Sequence, residues 1–294
     1  MRVFVTGASG FIGSAVTSEL IEAGHEVLGL TRSDAGAQAL AALGAQVHRG
    51  DLADLESLKE GAAQADGVIH LAFNHDFSTY MANCEDDRRA IEALASGLRG
   101  GPLLVTSGTG MGAGGPGRLA SEDDPPASSA MVPRAASEEA ADAATARGVN
   151  AGVVRLPQVH DPERQGLVSY AIEVAREKGV VAYVGEGANR WPAAHRLDVA
   201  RLYRLALERG ERGARYHAVA EEGVRMRDIA EAIGARLSLP VKSITAEEAP
   251  AHFGWMAMFA SSDLPASSAL TRQKLAWTPS GPRLLEDLAR LAVG

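Results

Sequence analysis

Glycines at positions 7, 10 and 13 stand three residues apart directly behind the apolar run Val3-Phe4-Val5. That spacing suits a tight turn that hands a strand over to a helix. Gly7 permits a bend that a side chain would block, Gly10 lets the backbone approach a pyrophosphate, and Gly13 lets the helix pack closely on the strand. The N–H groups of the turn around Ser9, Phe11 and Ile12, at the positive end of the helix dipole, would then hold the phosphates. A second set of groups, Thr31, Arg32 and Ser33, follows the next apolar run, 26–30. An NAD site carries an Asp or Glu at this place to bond the ribose hydroxyls. A guanidinium flanked by two hydroxyls matches a 2′-phosphate instead. The expected dinucleotide is therefore NADP(H) rather than NAD(H), with Asp34 the neighbouring acid that a loop shift would bring to the ribose. A third set is His75 and Tyr80 in Asn74-His75-Asp76-Phe77-Ser78-Thr79-Tyr80. An imidazole that titrates near neutrality and a phenol are proton donors for a carbonyl that takes up hydride. A solvated polar loop is the plain alternative.

These groups need a scaffold, and the sequence alternates accordingly. Strand patterns at 2–6, 26–30, 46–49, 67–72, 102–106 and 152–156 are separated by helical patterns at 11–23, 33–43, around Leu55, Leu58 and Ala62, around Ile91, Leu94 and Leu98, and at 134–147. Parallel strands need crossovers, so the expected fold is α/β, a Rossmann-type doubly wound parallel sheet with helices on both faces. The ligand crevice then lies at the carboxyl ends of the strands, which is where the 74–80 segment falls. Beyond residue 160 the pattern loosens into helices at 167–178, 197–209 and 224–237, strands at 180–184 and 215–219, and a mixed stretch at 246–268. Residues 1–165 are expected to form the dinucleotide-binding core, and 166–294 a smaller, interleaved substrate-facing lobe that also returns to the sheet. The glycine-rich tract 108–117 reads as a mobile lid over the crevice or as a plain flexible connection. Trp255, Met256, Met258 and Phe259 form an apolar group that would cover a substrate or belong to the core.

Composition narrows the class of partner. The chain has 294 residues and a net charge of −8, with no block of basic residues, which argues against nucleic acid. Apolar runs are strand-length, so no membrane span is expected, and a chain that enters a strand and the glycine turn at once is not expected to carry a signal peptide. Cys84 is the single cysteine, which fits a reducing, cytoplasmic setting. The eight histidines show no metal-binding spacing and Gly-x-Ser-x-Gly is absent, so neither a metal nor a serine-hydrolase elbow is expected.

The form Thr-Gly-Ala-Ser-Gly-Phe-Ile-Gly at residues 6–13 resembles the short-chain dehydrogenase/reductase superfamily, in particular its extended and atypical branch of nucleotide-sugar epimerases and related reductases. The resemblance implies that Asp51 and Leu52 lie beside the adenine, that Leu71, Ala72 and Phe73 pass under the dinucleotide, and that Pro157 and Val159 line the nicotinamide face. It also implies a serine at the end of the fifth strand and a Tyr-x-x-x-Lys pair on the next helix. Val105-Thr106-Ser107-Gly108-Thr109 resembles the serine stretch, giving Ser107 a catalytic role with Thr109 beside the substrate. The pair is missing: there is no Tyr from 81 to 169 and no Lys from 60 to 177. One frame sets Arg134 at the tyrosine position, Ser137 at a family serine and Glu138 at the lysine; moving it by three sets Met131 and Ala135 there. In the first frame Arg134 cannot give up a proton near neutral pH, and it is expected to bind an anion of substrate or cofactor unless it merely pairs with Glu138 along the helix. His160, after the sixth strand, reads as a substrate contact or a surface turn residue. The segments 191–200 and 267–279 resemble family stretches of largely architectural role, so the similarity runs nearly end to end.

The resulting expectation is an NADPH-dependent reductase acting on a small or medium apolar carbonyl or imine under Trp255, without the usual Tyr–Lys pair. A protonated imine needs less acid assistance and suits such a site. An NADP-binding sensor or scaffold without turnover, and an epimerase or dehydratase with tightly held nucleotide, are the alternatives. A homodimer is expected by resemblance.

Overall fold

Val3 and Val5 lie in one apolar core and Phe4 in another, and all three are completely buried. A strand buried on both faces requires helices on both sides, and the computed structural model, which describes residues 1–111 and 118–292, is built that way. Its strands are β1 (Arg2–Thr6), β2 (Glu26–Thr31), β3 (Gln46–Arg49), β4 (Gly67–His70), β5 (Pro102–Gly108), β6 (Asn150–Leu156), β7 (Gln158–His160), β8 (Val181–Val184), β9 (Arg190–His195), β10 (Arg215–His217), β11 (Glu221–Arg225) and β12 (Val241–Ile244). The main helices are α1 (Phe11–Glu22), α2 (Asp34–Ala42), α3 (Leu55–Ala63), α4 (Tyr80–Gly97), α5 (Ala136–Ala146), α6 (Leu167–Lys178), α7 (Arg196–Arg209) and α8 (Met226–Leu237).

Seven strands form one parallel sheet in the order β3-β2-β1-β4-β5-β6-β10. The order reverses between β1 and β4, and the crevice of a doubly wound sheet opens at that point. On one face Val16 and Leu20 of α1 pack with Leu202 and Tyr203 of α7. On the other, Leu58 of α3, Ile91 and Leu94 of α4 and Ala140 of α5 close over Phe4 and Val68. A third core surrounds Trp191, Ile172, Met226 and Leu284, where β11-β9-β7 and β12-β8 form two small sheets. No helix among the described residues is long and apolar enough to cross a membrane.

The elements depart from the sequence reading in four places. First, α4 begins at Tyr80, preceded by a single 3-10 turn at Phe77–Thr79, so the 74–80 segment is not a free loop. Asp76 starts that turn by accepting from the Ser78 N–H at 3.0 Å. Second, Arg134 lies in a 3-10 turn, Pro133–Ala135, just ahead of α5. Third, β7, β9, β11 and β12 carry no alternating pattern; Pro192 within β9 hides that strand, because proline lacks a ladder donor. The fold accommodates it with a register shift in β11 between Glu221 and Val224, whose partners Ala193 and Trp191 flank the proline. Fourth, residues 112–117 of the glycine-rich tract lie outside the described residues, and Thr109–Met111 form a 3-10 turn after β5.

Candidate functional site

The opening turn follows directly from its glycines. Gly7 has φ of 69°, and a Cβ there would stand 2.9 Å from the Ala72 nitrogen, so the end of β4 lies against it. A Cβ on Gly13 would lie 1.9 Å from the Gly7 carbonyl oxygen, which no side chain tolerates. Gly10 is the N-cap of α1 and offers no side chain to cap it, and the first turn holds no acidic residue. The leading N–H groups of α1 and its dipole are left for an anionic ligand. Ser9 and Gly10 are exposed and Phe11 and Ile12 half-buried. These residues fit the pyrophosphate of a dinucleotide.

At the end of β2, Thr31 is buried and Ser33 caps α2 by accepting from the Gly36 N–H at 3.0 Å. The Arg32 side chain is 81% exposed and its nearest acid is Asp51, at 3.3 Å. Asp51 is held below the usual carboxylate range by the Ala53 N–H and also by Arg32, although partial burial acts against both. Asp34 is turned to solvent and pairs with Arg49 at 2.6 Å. The guanidinium is thus free to meet a further anion. Leu52 is half-buried against the core beneath, and Leu71, Ala72 and Phe73 are half-buried at the end of β4.

Behind that strand end runs a buried chain of hydrogen bonds. The Thr6 hydroxyl accepts from the N–H groups of Leu71 and Ala72, both at 3.2 Å, so its own proton goes to His70 Nδ1, 2.7 Å away. His70 Nε2–H then donates to Asp87 at 2.9 Å. The other Asp87 oxygen accepts from Arg134 at 2.9 Å and from the Ser137 hydroxyl. Burial pushes the Asp87 carboxyl up, but Arg134, His70 and Ser137 together hold it below the usual range. Arg134 also donates to the Thr106 carbonyl at 3.0 Å and lies 4.1 Å from the centre of the Phe73 ring. Its Nε and one Nη2 hydrogen meet no acceptor among the described residues, and the side chain is 14% exposed. The helical Arg134–Glu138 pairing is therefore not the one formed.

Glu138 is instead completely buried, clamped by Arg155 through two bonds of 2.8 Å and by Arg215 at 2.8 Å. Burial would raise it, yet those cations and Ser107 keep its pKa below the usual range. Ser107 donates its proton to Glu138 at 2.8 Å and is itself buried. Thr109 is buried too, with a long bond of 3.4 Å to the Leu156 carbonyl. Thr106 donates to the His70 carbonyl and meets the Tyr203 hydroxyl at 2.7 Å.

On the outer side of Phe73, aromatic rings join the two parts of the chain. His75 lies 5.2 Å from Phe73, and its surroundings, together with the Arg134 charge, hold its pKa below that of a free imidazole. Burial pushes the Tyr80 phenol up to about 12. Phe77 stacks on Trp255 at 4.2 Å, joining the strand-end segment to the C-terminal residues. Met256 is buried, whereas Trp255 is 46% and Met258 69% exposed. Two expectations need correction. His160 is neither a turn residue nor a ligand contact: it is fully enclosed, with Nδ1 2.7 Å from Asp287. Val159 belongs to the main core, leaving Pro157 as the partly accessible residue of that pair.

Sequence reasoning passed over Asp87, His70 and Arg155. Asp87 sits among charged neighbours, but it shares the helical spacing of Cys84, Ile91 and Leu94, the buried stripe of α4. His70 and Arg155 each end an apolar strand run, where a polar group inside a sheet must find a partner.

The profile of the NAD dependent epimerase/dehydratase family matches residues 3–220. The chain belongs to that family. Relatives include uncharacterized proteins of Schizosaccharomyces pombe, 48% identical over 98% of both chains, and Saccharomyces cerevisiae, 46% identical over 98% of both. A 2-alkyl-3-oxoalkanoate reductase of Stenotrophomonas maltophilia is 29% identical over 82% of this chain and 77% of its own. The structure of the dTDP-glucose 4,6-dehydratase DesIV from Streptomyces venezuelae, with NAD and TYD bound, matches with a TM-score of 0.78 over 99% of this chain and 95% of its own. At 20% identity that likeness is one of fold. Within the epimerase/dehydratase family this chain is an NAD(P)-dependent oxidoreductase of the extended short-chain dehydrogenase/reductase type.

Proposed function

We propose that the chain is an NADPH-dependent reductase of a small or medium apolar carbonyl or imine. The observation that carries this reading is the Arg134 guanidinium, held by Asp87, Ser137 and the Thr106 carbonyl on the face of Phe73, with two N–H groups that meet no acceptor among the described residues. It is a fixed positive donor in the frame position of the family tyrosine. When bound, the reduced coenzyme supplies a hydride. The chain holds the pyrophosphate on the N–H groups of Phe11, Ile12 and Gly13, with Ser9 and Gly10 in the turn beside it, and the 2′-phosphate on Arg32 and Ser33 with Thr31 behind them. Arg134 stabilises negative charge that develops on the substrate oxygen, and the proton comes from His75 or Tyr80. Ser107 acts indirectly, by fixing Glu138 and through it the end of β5. Residues 1–165 serve as the coenzyme unit and 166–294 as the substrate-facing lobe, in a cytoplasmic protein that forms a homodimer.

One observation favours a second reading. The Ser107 proton is committed to Glu138 rather than left for a substrate, as suits a protein that binds NADP(H) without turning it over. A fluorescence titration with NADPH and NADH, followed by NADPH oxidation on a panel of ketones, aldehydes and imines, separates the two. The reductase reading expects tighter NADPH binding, lost in Arg32→Ala, and turnover on at least one carbonyl or imine. Tight NADPH binding with no turnover on any panel member would leave the sensor; no affinity for either coenzyme would end both.

A further inference from the structure

The fourteen Phe, Tyr and Trp side chains of this chain are unevenly spent. Phe73, Phe77, Tyr80, Tyr170, Trp255 and Phe259 form one unbroken series of ring contacts at the crevice side of the β4 end. Two stacked pairs share Phe77, which lies at 19° to Trp255 and at 28° to Tyr80. Tyr170 stands edge-on to both Phe77 and Trp255, at 84° and 82°, and closes one side. Simple lobe-to-lobe packing would bury such rings. Trp255 instead keeps 46% of its surface, while Trp191 and Trp277 keep 0% and 1%. At the other end of the series the Arg134 guanidinium covers Phe73, with N–H donors that meet no acceptor among the described residues.

We propose, building on the reductase reading, that the substrate is a flat, conjugated aromatic carbonyl whose ring stacks on Trp255 and extends its stack with Phe77. Parallel ring planes favour a flat π-face over a puckered ring of equal size, because only the flat body meets them in offset stacking. Trp255 and Phe77 are then the residues that set specificity.

The test pairs acetophenone with cyclohexyl methyl ketone, which share a carbonyl and differ in ring planarity. Binding to the full chain is measured in the presence of NADP⁺, where no reduction takes place, by saturation-transfer NMR on the ketone protons. In the wild type, tryptophan emission reports the location, since Trp255 is the one exposed tryptophan. The wild type is expected to bind acetophenone about tenfold more tightly, the scale of one aromatic pair. Trp255→Leu is expected to bring the ratio close to one, and Trp255→Phe to keep most of it. Equal affinity for the two ketones in the wild type, or a preference that survives Trp255→Leu, overturns the proposal. With NADPH in place of NADP⁺ and the ketone, aldehyde and imine panel, stacking with no turnover on any member would leave this site standing and end the reductase reading; turnover with equal affinity for the two ketones would do the reverse.

Discussion

Asp87 meets three donors with two oxygens, from His70, Arg134 and Ser137, inside a space closed to water. An asparagine there cannot accept on both sides, so the amide must face either Arg134 or His70 with a donor. Asp87→Asn is expected to lower kcat by about 10²-fold with little change in coenzyme affinity, close to Arg134→Gln at about 10²–10³-fold, the usual cost of one oxyanion donor. Steady-state kinetics beside a coenzyme titration reads both numbers; a variant that loses coenzyme binding in step with kcat would place Asp87 in the scaffold instead. His75 makes a second prediction. Its pKa is depressed by its packed surroundings and by Arg134, so its protonated form is present only below its ordinary value of about 6.5. If it supplies the proton, kcat/KM rises as pH falls through that depressed value and declines above it, and His75→Asn flattens the profile. Residue type pointed to His75 and the family frame to Arg134, but the partners of Arg134 were hidden, because Asp87 is far from it in sequence and reads as helix-surface charge.

At the level of the element, the opening turn separates two roles that the glycine spacing alone merges. A Cβ on Gly13 would overlap the Gly7 carbonyl, whereas one on Gly10 would lie 3.1 Å from the same oxygen. Gly13→Ala is therefore expected to cost about 2–3 kcal/mol or more in urea unfolding, as an overpacked contact with backbone that cannot move aside. Gly10→Ala only crowds that oxygen, so it is expected to cost clearly less stability than Gly13→Ala and to weaken coenzyme binding. Equal loss of stability in the two variants would show that Gly10 also serves packing. The central strands β1, β4, β5 and β6 were legible because their apolar runs are nearly continuous and separated by helical spacing. The small strands β7, β9, β11 and β12 were not, because their pairing depends on one another and on a proline-adjacent register shift that no local pattern announces.

For the whole molecule, buried charge couples the fold to pH. Glu138 is shared by Arg155, Arg215 and Ser107 and sits below its ordinary 4.5, and Asp87 sits below its ordinary 3.8. A carboxylate whose folded pKa is depressed adds stability that is complete above the unfolded value and is lost as pH falls toward the folded one. Urea unfolding is expected to be constant in this respect from pH 7 to about 5 and to weaken steadily below. Glu138→Gln is expected to lose about 3–5 kcal/mol at pH 7, since it strands the fully buried Arg155 charge, and to show a shallower decline in acid. A variant as acid-sensitive as the wild type would move the effect to other carboxylates.

By itself the sequence determined the α/β class, the parallel sheet, the glycine turn and, through the family resemblance, the absence of a Tyr–Lys pair. Those follow from local spacing, from apolar runs and from residue types that are simply present or absent. Only the tertiary structure decided that Arg134 pairs with Asp87 and not with Glu138, that Ser107 is spent on Glu138, that His160 is enclosed, and that Phe77 stacks on Trp255. Each of these joins residues distant in the chain, and a charge or ring chooses among such partners by the distance and burial that the fold creates.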